Sequence, residues 1–405
     1  MKCQGCYIIK RVALPLLSLL LVAGHACAQE PPAVFLENHV SLDTAIMISS
    51  DNTVYSPKLA CCTWNECVYL SDYHSASGDT VDVYRLNTHS YGLDRMRFVF
   101  GGMASKAMEE NYQGLDYIAC NDSLFLAATG RHLYIASWRS PEEFKHVVLH
   151  NAYDGGKFDK HGNLVLYRYY YGNDTPTELS VYSIERQAIV KTVYPDGGNM
   201  LVSYLGGTRL FDVKDDNIIF ARPNEFQIDI YDLSLNKKGC IAFADGKSVM
   251  DEALWKRARK LPRHAASERL DMFSPFDYDL MLWAYLRGND VVAVHRTKQG
   301  TGKYALHTLV NVFEYQNDTT WRHVLVDAID RMRKGKDEIV TKATVPVNWV
   351  GGNEVLFTED RIVSITTGTV GAPVGMTMSQ YEVAKREWLR SAGYRLQVNI
   401  FSFNF

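Results

Sequence analysis

Short alternating runs of apolar and polar residues recur along the chain, and three of them share one pattern. TVDVYRL (80–86), ELSVYSI (178–184) and QIDIYDL (227–233) each carry a β-branched residue directly before a tyrosine. A fourth run, HLYIASW (132–138), lies between the first two and also contains a tyrosine. Alternation with a period of two residues is typical of half-buried strands, so each run predicts one β-strand.

The spacing of these runs predicts how the strands assemble. Their tyrosines lie 50, 48 and 49 residues apart, and another predicted strand precedes each run. An even period that contains only short strands is typical of a β-propeller, with about four strands in each blade. One blade cannot bury both of its faces, so neighbouring blades stack and closure of the ring protects the edges. The tyrosines are Tyr84, Tyr134, Tyr182 and Tyr231, and the preceding strands are CVYLSD (67–72), SLFLAAT (123–129), NLVLYRYY (163–170) and NIIFAR (217–222).

The pattern becomes less regular towards the C-terminus. Residues 244–275 read as an insertion, in which apolar residues at helical spacing predict a helix near 248–261. Strands resume after it, a second helix is predicted near 379–391, and a last alternating strand covers 396–403. We expect residues 33–40 to complete the final blade and lock the ring. Four regular blades and two less regular ones predict an all-β, six-bladed β-propeller of four-stranded antiparallel blades.

The first 28 residues have the features of a signal peptide. A basic start leads into an apolar core from Val12 to Ala23, and Ala26–Ala28 supplies an Ala-x-Ala cleavage site. This core is too short to span a bilayer, which takes about 20 apolar residues, and no later run is long enough. Residues 29–405 are therefore expected to form a single exported domain without a membrane span, periplasmic or secreted. A lipoprotein anchored through Cys27 is the alternative.

Two cysteines lie close together in a predicted hairpin, LACCTWNECVYL. A two-residue turn at Trp64–Asn65 would place Cys62 opposite Cys67 as the closer, non-hydrogen-bonded pair of the ladder. Because an exported chain can form disulfides, a cross-strand disulfide between these two residues is one prediction. Free, buried cysteines are the alternative. A zinc site is not predicted, since no second Cys or His pair follows at a suitable spacing.

Composition and motifs limit the chemistry of the chain. Hydrophobic residues make up 47% and charged residues 22%, which indicates a folded protein, and the net charge of −3 gives no footprint for nucleic acid. QGTGKYAL (299–306) lacks the first glycine and the Ser or Thr of a phosphate-binding loop. His146 and His150 share one strand face but would lie about 13 Å apart at strand rise, too far to share one metal ion. We therefore predict no metal or cofactor, and the sequence identifies no catalytic residues.

The loops between the second and third strands of each blade should gather at one mouth of the channel. Loops carry binding and catalytic residues more often than strands do. Aromatic residues with a few charges suit a carbohydrate or peptide, although each side chain could equally serve only to cap the ring. The candidate binding residues in these loops are Tyr73, His74, Arg131, Tyr170, Tyr171, Arg222 and Glu225.

The chain resembles the TolB-like six-bladed propellers exported by Bacteroidota. The resemblance covers nearly the whole mature chain. It rests on the signal peptide, on repeated strand pairs such as NIIFARPNEFQIDIYDL (217–233) and on the long insertion before LMLWAYL (280–286). It implies a binding or scaffold protein of the bacterial cell envelope, with an envelope protein, a carbohydrate or a peptide as partner. A propeller hydrolase or lyase acting on a glycan or small molecule is the alternative function.

Overall fold

The computed structural model describes fourteen segments of the chain, and they form six β-sheets. The segments are 34–35, 40–50, 60–74, 79–103, 115–168, 177–195, 210–222, 227–242, 280–298, 306–317, 320–334, 338–341, 353–367 and 394–403. The helices predicted near 248–261 and 379–391 lie outside the described residues. Within the segments above, no helix is long and apolar enough to cross a membrane.

The strands are short and follow one another as antiparallel neighbours, as the alternating runs predict. In chain order they are β1 (Val34–Phe35), β2 (Val40–Ser50), β3 (Ala60–Trp64), β4 (Cys67–His74), β5 (Thr80–Asn87), β6 (Leu93–Val99), β7 (Tyr117–Cys120), β8 (Leu124–Thr129), β9 (His132–Ser137), β10 (Ser140–Val148), β11 (Gly155–Phe158), β12 (Leu164–Arg168), β13 (Glu178–Ser183), β14 (Ala188–Val193), β15 (Phe211–Lys214), β16 (Asn217–Arg222), β17 (Gln227–Tyr231), β18 (Lys237–Ala242), β19 (Leu280–Arg287), β20 (Asp290–Lys298), β21 (Leu306–Asn317), β22 (Thr320–Lys334), β23 (Glu338–Thr341), β24 (Asn353–Phe357), β25 (Arg361–Thr367) and β26 (Tyr394–Phe403).

The six sheets are the blades of a six-bladed β-propeller, which confirms the predicted architecture. Blades 1 to 5 are consecutive four-stranded meanders, β3–β6, β7–β10, β11–β14, β15–β18 and β19–β22. Blade 6 has the order β24-β25-β26-β2. The first strand of each blade lies innermost, because β3 packs against β7, β7 against β11, β11 against β15 and β15 against β19, while β24 returns to β3. The ring is therefore closed between blades 6 and 1.

A strand from near the N-terminus closes the ring, but not the one predicted. β2 pairs antiparallel with β26 from Val40 opposite Phe403 to Ser50 opposite Tyr394, and it forms the outer strand of blade 6. The segment predicted for this role, 33–40, contributes β1 instead, which pairs in parallel with β22 of blade 5. β2 follows β26 along its whole length and buries Ile48 against the first blade. The prediction that an N-terminal strand closes the ring is confirmed, but the predicted segment, 33–40, is wrong.

The repeated tyrosines fill the seams between blades. Tyr84 packs in a cluster with strands of blades 6 and 1, Tyr134 between blades 1 and 2, and Tyr182 between blades 2 and 3. Tyr231 belongs to the large cluster that begins at blade 3 and continues to blade 6. Each tyrosine is at most 5% exposed. The sequence period of about fifty residues therefore marks one seam-filling side chain per blade.

A buried polar residue stands two positions before each of these tyrosines. Its side chain shares the tyrosine's face of the strand and contacts a polar side chain on the outermost strand of the same blade. A buried polar group without a partner would cost about 1–3 kcal/mol, so each partner stabilises its blade. The pairs are Asp82 with Arg95 and Arg97, His132 with His146, Ser180 with Thr192, and Asp229 with Lys237.

The β3–β4 hairpin has a different register from the predicted one. Trp64 pairs with Cys67 and Cys62 with Tyr69, so the two turn residues are Asn65 and Glu66. Asn65 has a φ of 50°, and asparagine adopts this left-handed conformation more readily than tryptophan does. The predicted turn was therefore displaced by one residue, and Cys62 does not lie opposite Cys67. None of the five described cysteines is in a disulfide.

Candidate functional site

The turns between the first and second strands of the blades meet at one mouth of the channel. They enclose a cavity of about 810 Å³. Its walls come from the turns of blades 1, 3, 4 and 6 (residues 63–67, 157–160, 212–215 and 357–360), with Leu286 of blade 5. Ligand sites in propellers and other closed folds are concave and built by several elements. This mouth is therefore the candidate functional site.

Asp212 joins three blades at the floor of this cavity. It lies on β15 and is 8% exposed. The ammonium group of Lys157, from blade 3, donates to Oδ1 at 2.5 Å, and the Leu286 N–H, from blade 5, donates to Oδ2 at 2.8 Å. A largely buried carboxylate is stable only when its lone pairs are occupied in this way. Asp212 thus holds the innermost strands of blades 3, 4 and 5 in a fixed relation.

Further ion pairs around the rim also connect different blades. Lys160 of blade 3 lies 2.6 Å from Asp216 of blade 4, and this hydrogen bond lowers the pKa of the Asp216 carboxyl. Lys214 of blade 4 reaches Glu359 of blade 6 at 3.0 Å. Exposed pairs of this kind are screened by solvent and contribute little to stability. Their effect is to position charged groups at the mouth rather than to stabilise the fold.

Blade 1 contributes the guanidinium group of Arg85 and the thiol of Cys67 to the cavity wall. Arg85 of β5 is exposed and hydrogen-bonds to Cys67 at the start of β4. This hydrogen bond, with the nearby Tyr69, raises the pKa of Arg85. His89, in the turn after β5, lies 3.3 Å from Asp360 of blade 6. Blades 1 and 6 therefore contribute charge of both signs where the ring closes.

The lining offers hydrogen-bond donors and acceptors, with an excess of negative charge. Its carboxylates outnumber its permanent cations, and Trp64 and Phe357 add aromatic surface. Such a surface suits a polar ligand that carries at least one positive group. The carboxylates are Glu66, Asp159, Asp212, Asp215, Glu359 and Asp360, and the cations are Arg85, Lys157, Lys160 and Lys214.

The described residues among those predicted from the sequence lie at the opposite end of the blades. Arg131 is exposed in the turn between β8 and β9, whereas Arg222 is half-buried at the end of β16 and pairs with Asp229 at 3.2 Å. The backbone of Tyr73 and His74 ends β4, and nothing further is described of their side chains. Tyr170, Tyr171 and Glu225 lie outside the described residues. Of the two whose side chains the structure describes, neither Arg131 nor Arg222 lines the cavity. A role of all seven residues in binding stays a prediction.

A buried carboxylate cluster lies in blade 3 at that opposite end. Glu178, at the start of β13, is 1% exposed and accepts hydrogen bonds from Tyr153, Ser180 and Arg168 at 2.5, 2.6 and 2.6 Å. Burial alone would raise the pKa of Glu178, but the hydrogen bonds from Ser180 and Tyr153 and the charge of Arg168 outweigh it and lower that pKa. Every oxygen of this carboxylate is occupied, so the cluster is suited to structure.

Sequence reasoning missed the cavity residues because each acidic turn, taken alone, looks like ordinary turn chemistry. Asp159 does cap its own turn, accepting from the N–H groups of His161 and Asn163. The available signal was recurrence: an acidic residue falls between the first and second strands of several blades. These residues are Glu66, Asp122, Asp159, Asp215 and Asp360. Among the described residues, no three His, Cys, Asp or Glu side chains are grouped to hold a metal ion.

Comparison with solved structures finds propellers of very different sequence. An exported protein of Bacteroides fragilis superposes with a TM-score of 0.51 over 91% of this chain and 96% of its own, at 9% identity. The WD40 domain of Neurospora crassa Pan2 gives a TM-score of 0.45 over 92% and 98% of the two chains, at 10% identity. A luciferin-regenerating enzyme gives 0.42 over 89% and 98%, at 9% identity. The sequence matches no protein-family profile and no curated protein. At such low identities the likeness shows the fold alone.

Proposed function

We propose that this protein is an exported propeller that binds a polar segment of an envelope partner in the mouth of its channel. The observation that carries the proposal is the cavity itself, which is assembled from several blades and lined by charges of both signs. Binding sites on rigid scaffolds are commonly built from turns that the scaffold fixes in place. The ion pairs of Asp212 and Lys214 fix these turns.

Export is supported by the signal-peptide features of residues 1–28 and by the B. fragilis neighbour, which is itself an exported protein. TolB-like propellers of Bacteroidota are the family to which we assign the chain on these grounds. The protein then acts in the periplasm or after secretion, and Cys27 offers a lipid anchor only if processing occurs at that residue. Mass determination of the mature N-terminus separates cleavage before Gln29 from lipidation of Cys27.

The excess of carboxylates at the mouth favours a basic peptide over a neutral oligosaccharide. A peptide supplies main-chain donors and acceptors for the turn backbones, and a Lys or Arg side chain supplies the positive group. Charge complementarity of this kind sets specificity and association rate more than affinity, so we expect weak, salt-sensitive binding. An envelope protein with an exposed basic loop is the partner that this chemistry fits.

The test compares one acidic residue inside the mouth with one outside it. Asp215 is exposed, lines the cavity and has a φ of 50°, so Asp215→Asn removes the charge and retains a residue that tolerates this turn. Glu185→Gln, in an exposed turn of blade 3 away from the cavity, is the matched control. With a lysine-rich peptide as the calorimetric probe, we expect Asp215→Asn to weaken binding about two- to fivefold and the control to leave it unchanged.

A third variant, Arg131→Ala, tests the opposite end of the channel, where the sequence predicts a site. If this substitution weakens binding of the probe and Asp215→Asn does not, the ligand binds at the second-to-third-strand loops. Equal losses in Asp215→Asn and Glu185→Gln would show a diffuse charge effect with no site at the mouth. Failure of the wild-type protein to bind the basic peptide, while binding a neutral oligosaccharide, would overturn the assignment of a basic partner.

A further inference from the structure

Two thiols meet across the seam between the first two blades. Cys62 lies on β3 and Cys120 on β7, the innermost strands of blades 1 and 2, which pack directly against each other. Their sulfur atoms are 3.3 Å apart. Cys62 is 7% exposed and Cys120 is 1% exposed. The fold thus brings together two cysteines that are 58 residues apart in the sequence.

The surroundings of the pair are apolar and hold both side chains in place. Phe98, Phe125 and Tyr69 belong to the same buried cluster, and so does Cys67, which reaches the cavity wall. Cys61, the neighbour of Cys62 along β3, points to the other side of its strand and packs in the seam between blades 6 and 1. The sulfur atoms of Cys62 and Cys120 are thus in direct contact, while Cys61 faces a different seam.

We propose that Cys62 and Cys120 form a disulfide that joins the inner strands of blades 1 and 2. The geometry requires the two sulfur atoms to approach by little more than an ångström, within one seam and without any change of strand register. This pairing differs from the cross-strand bond between Cys62 and Cys67 predicted from the sequence. It links two blades rather than two strands of one hairpin.

The bond forms by exchange with an external disulfide, of the kind that envelope thiol oxidases or oxidised glutathione carry. One cysteine loses its proton and attacks the external S–S bond, which yields a mixed disulfide and releases one external thiol. The second cysteine then attacks the mixed disulfide and releases the other external thiol. At each step the electron pair of the broken S–S bond stays on the external thiol that is released. The external disulfide has then gained two electrons and two protons, and the protein has lost two hydrogen atoms.

Burial determines when this exchange can occur. The apolar environment raises the pKa of Cys120, and the hydrogen bond with Cys62 raises it further. Thiolate is the reactive species, so the closed seam is a poor place for exchange. We expect the bond to form while blades 1 and 2 are assembling, and protein folded under reducing conditions to retain both thiols on later exposure to oxidant.

Peptide mapping of purified protein refolded with oxidised glutathione tests the pairing. Trypsin releases residues 59–85, with Cys61, Cys62 and Cys67, and residues 107–131, with Cys120. Cleavage after Glu66 by a glutamate-specific protease then separates Cys67 from the other two. We expect residues 59–66 linked to Cys120, and the same link in Cys61→Ala. A link from Cys120 to Cys67, a link lost in Cys61→Ala, or labelling of every thiol after unfolding would overturn the proposal.

Thermal unfolding provides a second readout that does not depend on digestion. A bond that closes a loop of this length should raise the midpoint of wild-type protein refolded with oxidised glutathione by about 5 °C relative to wild-type protein refolded in reductant. Cys120→Ala should show no such response to reductant, whatever its own midpoint, and Cys61→Ala should respond as the wild type does. A reductant response that persists in Cys120→Ala would contradict the proposal. The peptide-binding experiment above is independent of this result, since the bond needs an oxidant and no ligand.

Discussion

At the scale of single residues, four buried polar side chains share one arrangement within their blades. The position two residues before each repeated tyrosine is polar in blades 1 to 4, and its partner comes from the outermost strand. The chemistry varies from a carboxylate with arginine to a histidine pair and a pair of hydroxyls. In all four blades the buried polar side chain has a polar partner, whereas the residue type differs from blade to blade.

Glu178 provides the clearest test of a single buried polar group. Its carboxylate is buried, so its hydrogen-bond donors would lose their acceptor if it were replaced. Glu178→Gln leaves Arg168, whose side chain is 10% exposed, without its counter-charge. Breaking a buried pair from one side costs about 3–5 kcal/mol. We expect a lower free energy of unfolding by about that amount in denaturant titration, and Glu185→Gln, on the surface, should change it by less than about 0.5 kcal/mol.

The same residue gives a direction for pH dependence. Because the folded-state pKa of Glu178 is lowered from its ordinary value of 4.5, its contribution is present above pH 4.5 and is lost as pH falls through the folded-state pKa. Unfolding curves below pH 4.5 should therefore show a smaller loss of stability in Glu178→Gln than in the wild type. An identical acid response in both proteins would contradict this assignment of the lowered pKa.

At the scale of strands, the ring depends on one long antiparallel pair, β2 with β26. Ile48 is the described side chain of β2 that is fully buried, at 2% exposure, and it packs with Leu70 and Val398 in the seam between blades 6 and 1. Its burial couples closure of the blade to closure of the ring. A short, exposed outer strand such as β14, where Val190 is 44% exposed, carries no such coupling.

Ile48→Ala should therefore destabilise the protein much more than Val190→Ala does. Removal of the buried side chain costs about 2–5 kcal/mol, including the cavity that remains, whereas the exposed valine should cost less than about 0.5 kcal/mol. Guanidinium unfolding of both variants measures the difference. Similar stabilities for the two would indicate that β2 does not close the ring in solution.

At the scale of the whole molecule, contacts between blades shape the candidate site. Asp212 of blade 4 binds Lys157 of blade 3 and the Leu286 N–H of blade 5, while Lys214 reaches across to Glu359 of blade 6. These contacts are made by the ends of the innermost strands and by the turn that holds Glu359. These contacts hold charged groups from several blades in place at the mouth of the channel.

Asp212→Ala tests this arrangement against a matched neighbour. It removes the acceptor of a buried N–H and of a half-buried ammonium group, which we expect to cost about 2–3 kcal/mol. Asp216→Ala removes an exposed partner of Lys160 between the same two blades and should lower the free energy of unfolding much less. Denaturant unfolding compares the two, and equal effects would show that Asp212 does not join the blades.

The four repeated tyrosines made the propeller predictable from local pattern alone, since each lies at the same place in its blade. The six-bladed count and the use of an N-terminal strand to close the ring were also predictable. The strand that closes it was not, because both 33–40 and 40–50 contain alternating apolar residues, and the pairing of 40–50 with β26 joins residues from opposite ends of the chain. The sequence predicts the candidate site at the other end of the blades, because aromatic residues are grouped in the loops there, whereas the acidic residues of the mouth are scattered over separate turns.

The sequence by itself determined the strands, their four-stranded grouping and the seam-filling tyrosines, because burial with a period of two is a property of each strand alone. Only the tertiary structure decided which mouth gathers the charged turns, which strand closes the ring and which cysteine faces Cys62. These outcomes depend on contacts between residues that lie far apart in the chain, such as Cys62 with Cys120 and Lys214 with Glu359. Local alternation carries no information about such pairs, because the packing of neighbouring blades brings them together.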